Sequence, residues 1–138
     1  MRRLAFVGGL VLALSLIGPA SAAPDTAWKA TLAHGGVSGT VTVSITSSTS
    51  STLVENVGGL TPRTQSVLWL RSGSCSATGF GVVRVRAFVP ASGHLVLTVH
   101  LTPAMVGYFT FDMKHRGGVH ATMTSGSKQA CGAMVASH

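Results

Sequence analysis

The sequence predicts a single exported all-β domain, an antiparallel sandwich or barrel of about eight short strands. Apolar and polar residues alternate with period two in run after run beyond residue 24, and Gly, Pro and Ser clusters separate the runs. The amino terminus reads as a cleavable export signal. With 138 residues, 46% hydrophobic and 9% charged, the composition is that of one packed domain and far from that of a disordered chain.

Taken in order, Met1-Arg2-Arg3 is a basic start, Leu4 to Ile17 is apolar, and Gly18-Pro19 breaks the run. Ala20-Ser21-Ala22-Ala23 then supplies the small residues that signal peptidase requires, placing cleavage after Ala22 or Ala23. The apolar run is shorter than the ~20 residues of a membrane anchor. Residues 1–23 are therefore expected to be a signal peptide and 24–138 one β domain, with no transmembrane segment after cleavage. The expected location is secreted or extracytoplasmic, with cell wall and periplasm both included. Loss of Arg2 and Arg3 lowers the formal charge from +7 to +5.

The first clear strand places Val37, Val41, Val43 and Ile45 on one face and Thr40, Thr42 and Ser44 on the other. Thr46–Thr52 reads as the solvated hairpin loop that follows. Val83, Val85 and Ala87 alternate with Arg84 and Arg86, and Leu95, Leu97 and Val99 with Val96 and Thr98. Phe109, Phe111 and Met113 alternate with Thr110, Asp112 and Lys114, and Val119, Ala121 and Met123 with His120, Thr122 and Thr124. Both stretches are expected to be strands, and no helix is expected after the signal peptide. Cys75 and Cys131 are the only cysteines. An even count in an oxidising compartment favours one structural disulfide, closing a loop that runs from 75 to 131.

Most enzyme classes lack their residues here. Asp25, Glu55 and Asp112 are the only acids and lie far apart, which argues against paired catalytic carboxylates and oxygen-rich calcium sites. Gly36-Val37-Ser38-Gly39 lacks the nucleophile-elbow form, and paired cysteines leave no thiol nucleophile. The histidines form no H-x-H or H-E-x-x-H motif.

Four segments resemble copper-zinc superoxide dismutases. Ala30-Thr31-Leu32 with Val37-Ser38-Gly39-Thr40-Val41 is similar to the first strands of that family, and Val57-Gly58-Gly59-Leu60-Thr61-Pro62 to its glycine-leucine turn. Leu68 to Cys75 (LWLRSGSC) fits the H-x-H-E-x-G-x-C pattern, and Ala130-Cys131-Gly132-Ala133-Met134 resembles the strand bearing the second disulfide cysteine. The resemblance implies a Greek-key β-sandwich or barrel. It also implies that Leu68 and Leu70 stand where two copper histidines would be, and Ser76 to Pro90 contains neither His nor Asp. Isobutyl side chains offer no lone pair, so the expectation is a metal-free protein without dismutase activity or cofactor. Only His115 and His120 remain as candidate metal ligands, flanking Gly117-Gly118 on what read as adjacent strands.

On the same alignment Trp69 would face the core and Leu68 and Leu70 would point outward. They would form either a floor covered by loop residues such as Phe80 or an apolar recognition patch rimmed by Arg71. Arg84 and Arg86 should share a solvent face and, with Leu68, Leu70 and Arg71, complete the candidate patch. The basic balance suits an anionic cell-surface polymer, and another exported protein is the other partner considered. Aromatic residues read as mostly core-phased, which argues against nucleic acid. The function expected is a non-enzymatic binding or structural module. The alternative is a degenerate copper- or zinc-binding protein using the remaining histidines.

Overall fold

The computed structural model describes residues 26–47, 49–76 and 79–137, so the expected signal peptide lies outside the described residues. The strands are β1 (Thr26–His34), β2 (Val37–Ile45), β3 (Ser51–Gly58), β4 (Gln65–Ser72), β5 (Gly81–Phe88), β6 (Leu95–Leu101), β7 (Val119–Ser125), β8 (Lys128–Ala133) and β9 (Val135–Ser137). One helix, α1 (Pro103–His115), separates β6 from β7. The strands form two antiparallel sheets, ordered β6-β3-β2-β1-β9 and β5-β4-β7-β8. No helix among the described residues is long and apolar enough to cross a membrane.

Period-two alternation translates directly into the packed layer. Val37, Val41 and Val43 of β2, Leu53 and Val57 of β3, Val83 and Val85 of β5, and Ala121 and Met123 of β7 are all buried between the sheets. The β1–β2 turn needs only Gly35 and Gly36, both at positive φ, because His34 pairs with Val37. Two consecutive positive-φ residues match the twist of a two-residue hairpin. The Thr46–Thr52 loop is shorter than expected. β3 already begins at Ser51, which is buried and donates through its hydroxyl to the Ser47 carbonyl at 2.6 Å, and Thr52 pairs with Ser44.

Residues 103–115 are the main correction to the secondary structure, being a helix where a strand was expected. Thr102 caps it, its hydroxyl accepting from the Met105 N–H at 3.2 Å, and Pro103 follows in the first turn. Lys114 and His115 lie in the last turn, where cations suit the helix dipole, and Gly117-Gly118 at positive φ ends the segment. The true periodicity is Val106 and Phe109, both buried, with Met113 packed beside them. Phe109 meets Trp28 edge-on at 5.1 Å. Gly107, Thr110 and the aromatic residues are weak helix formers, so the packing of this face, rather than propensity, holds the helix.

Cys75 and Cys131 are joined, with Cα atoms 6.0 Å apart, as the cysteine count led us to expect. The bridge ties the loop after β4 to the middle of β8.

Candidate binding face

β4 carries the second correction. Leu68 and Leu70 are 1% and 0% exposed, inside the sandwich, while Trp69 stands half-buried on the outer face. The inner row of β4 is thus Ser66, Leu68 and Leu70, and the outer row Val67, Trp69 and Arg71. Four apolar residues in succession, Val67 to Leu70, hide the phase from a period-two reading. The tie is broken by burial, because the arginine on the odd-numbered face keeps its charge in water while Ser66 and Ser72 are buried with small side chains. Leu68 and Leu70 therefore do not belong to a recognition patch, and Phe80, 71% exposed, is not their cover.

The outer face that replaces this patch is cationic and aromatic. Trp69 pairs with Arg84 on β5 and with Thr122 on β7, and Val67 pairs with Arg86 and Thr124. The Arg71 guanidinium stacks over the Trp69 ring at 4.3 Å, and that of Arg84 approaches it at 5.3 Å. Gly81 lies beneath the same ring, which a Cβ at that position would strike. The register of β4 against β5 shifts between Leu70 and Arg71, beside this contact. Arg71 Nη1 donates to the Gly79 carbonyl at 3.4 Å, bringing the face to Phe80. Arg116 then sits 5.0 Å from the Phe80 ring and 5.7 Å from that of Phe111. Two arginine–ring clusters result, Arg84 and Arg71 on Trp69 and Arg116 between Phe80 and Phe111, joined through the Arg71 contact with Gly79 next to Phe80. Arg86 flanks the first, exposed, two residues further along β5.

Beyond Phe80 the strip opens into a groove of about 680 Å³ walled by Phe80, Tyr108 and Phe111, with Gly81, Ala104 and Gly107 lining it between them. α1 therefore has two apolar faces, one packed on the sandwich and one turned to this groove. Arg116 stands at the rim, its Nε 3.4 Å from Asp112 Oδ1. Contrary to expectation the aromatic residues are not mostly in the core, since Phe80, Phe88, Tyr108 and Phe111 are exposed. A signal was present in the sequence: Thr102-Pro103 followed thirteen residues later by Arg116-Gly117-Gly118 is a helix start and stop, and on a helix Tyr108 and Phe111 leave the face of Phe109.

The histidines do not come together as expected. His115 ends α1, exposed and stacked on Phe111 at 4.8 Å. His120 is 3% exposed in β7, where its Nδ1–H donates to the Gly73 carbonyl at 2.8 Å and fastens the turn that leads to Cys75. Among the described residues no group of three or more His, Cys, Asp or Glu is placed to hold a metal. The outward positions of β4 offer valine, indole and guanidinium, none of which presents a free lone pair. These residues do not fit the copper site that the family resemblance implies.

One functional group lies apart from this face. Glu55 projects from β3 into the sandwich, 1% exposed, and neither carboxyl oxygen has a hydrogen-bond partner among the described residues. Burial raises its pKa from the ordinary 4.5 to about 7. Comparison with family models, curated proteins and solved structures found no match to this chain.

Proposed function

We propose that this chain is an exported, non-enzymatic binding module that holds an anionic cell-surface polymer on the outer face of β4 and β5. The observation carrying this reading is a pair of neighbouring arginine–ring clusters, Arg71 and Arg84 on Trp69 and Arg116 on Phe80 and Phe111, with Asp112 as their one acid. A guanidinium laid flat on a ring is held in place before the ligand arrives, so little side-chain entropy is lost when it binds an anion. Export, through the basic start and small-residue box at residues 1–23, directs the choice toward an extracytoplasmic polymer.

The same reading takes the fold to be a Greek-key sandwich like that of copper-zinc superoxide dismutases. Its support is the pair of sheet orders and the placement of the two cysteines, one after β4 and one in β8. The residue pairing proposed from the H-x-H pattern does not survive, because it turns Leu68 and Leu70 to the wrong side of β4. Dismutase chemistry forms no part of the proposal.

Calorimetric titration with dextran sulfate tests the binding role. Saturable binding that weakens with added salt is expected, with Arg71→Ala plus Arg84→Ala losing at least tenfold in affinity. Lys29→Gln plus Lys128→Gln, which removes the same charge elsewhere, should lose much less. Equal losses in the two double variants would reduce the interaction to net charge and remove the face from the proposal.

A further inference from the structure

We infer that the groove beside α1 takes a single-chain amphiphile with an anionic head, its apolar chain between Phe80, Tyr108 and Phe111 and its carboxylate on Arg116. This rests on the proposed binding role of the adjoining face and names what its far end accepts. Large apolar side chains exposed to 71%, 65% and 49% meet around one groove, on a helix whose opposite side already fills the sandwich end. An amphipathic helix needs only one such face for its fold, and the second has no partner among the described residues. Apolar walls of this kind gain nothing from a purely ionic polymer, which would leave the rings in water.

The charge at the rim chooses the head group. Arg116 is held between two rings and engaged by Asp112 through Nε, which orients the guanidinium while its side chain remains 45% exposed. A planar fork presented in this way matches a carboxylate. Lys114 lies on the same last turn and Arg71 reaches the Gly79 carbonyl next to Phe80, so with Arg116 three cations stand near the groove against the single carboxylate of Asp112. The groove opens beside Gly107, where a Cβ would meet nothing within 4 Å, so the chain has room along the helix.

Calorimetry with monomeric decanoate, and with decanol as its uncharged counterpart, tests the inference. Saturable one-to-one binding of decanoate is expected, at least tenfold tighter than decanol. Phe111→Ser should weaken both, Arg116→Gln should erase the difference between them, and Arg116→Lys should restore part of it. Circular dichroism establishes that the exposed-site variants are folded. Failure of decanoate to saturate, equal affinity for decanol, or discrimination unchanged in Arg116→Gln overturns the inference. So does binding to phosphatidylglycerol vesicles without binding to decanoate, which would make the groove a membrane contact. Dextran sulfate, run on the same preparations, separates the two proposals. If it binds while decanoate does not, the groove inference falls alone; if neither binds, the reading of the whole face falls with it.

Discussion

Glu55 is the residue least at home in this fold. A carboxyl group with no partner inside a sandwich is tolerated by remaining protonated, which is why its pKa rises toward neutrality. The sign of the consequence follows from proton uptake. Between pH 4.5 and about 7 the unfolded chain has released this proton while the folded chain keeps it, so Glu55 makes stability fall as pH rises through that window and level off above it. The span is about 3 kcal/mol at ~1.4 kcal/mol per pH unit. Urea unfolding at pH 4.5, 6 and 8 should show this slope in the native chain and its loss in Glu55→Gln. Glu55→Leu should be the more stable chain at pH 8. A second pair of substitutions reports the phase of β4. Leu70→Ala should cost about 2–5 kcal/mol because it empties a core position, whereas Trp69→Ala, on the outer face, should cost clearly less. The opposite order in denaturant midpoints would return Trp69 to the core.

At the scale of elements, α1 is where local preference and tertiary packing disagree. Phe109, Phe111 and Met113 satisfy a strand pattern, and so do many helical segments in which aromatic residues occupy both faces. Packing resolves the ambiguity: as a helix, the segment buries Val106 and sets Phe109 against Trp28, and leaves Phe111 and Tyr108 outside. Phe109→Ala should cost about 3–5 kcal/mol, and Thr102→Ala about 1 kcal/mol through loss of the cap. Gly107→Ala, where an added methyl group meets nothing, should instead stabilise the domain by about 0.5–1 kcal/mol. Thermal unfolding of the three variants checks the series. A costly Gly107→Ala or a harmless Phe109→Ala would contradict the helix.

Over the whole molecule, two sheets and a plug helix are bound by one covalent tie. The disulfide spans 56 positions of sequence and fastens the β4–β5 loop, next to the arginine strip, to β8. On chain entropy alone its loss should cost about 4 kcal/mol, so denaturant midpoints with and without reductant should differ widely. If they coincide, the unfolded chain is already constrained in other ways. His120, which holds Gly73 just ahead of Cys75, gives this loop a second anchor.

The strand class, the phase of β2, β5 and β7, and the cysteine pair are legible in the chain alone, because each is written in alternation, breakers and parity over short distances. Packing between the sheets set the facing of β4, and for 103–115 it chose the helix that Thr102-Pro103 and Gly117-Gly118 permit over the strand that the Phe109, Phe111 and Met113 alternation permits. In β4, Val67-Leu68-Trp69-Leu70 is apolar at every position, so either face satisfies a buried layer until Arg71 and Trp69 are weighed against the volume between the sheets. In α1 one partner of the buried face, Trp28 against Phe109, is about eighty residues away in sequence. The proposed binding face depends on both choices, since one turns Trp69 outward to Arg71 and Arg84 and the other brings Phe111 and Arg116 beside Phe80. Arg71, Arg84 and Arg86 were legible because charge keeps a guanidinium in contact with water, whereas the rings of Trp69, Phe80 and Phe111 suit either side of the layer until distant partners pack against them.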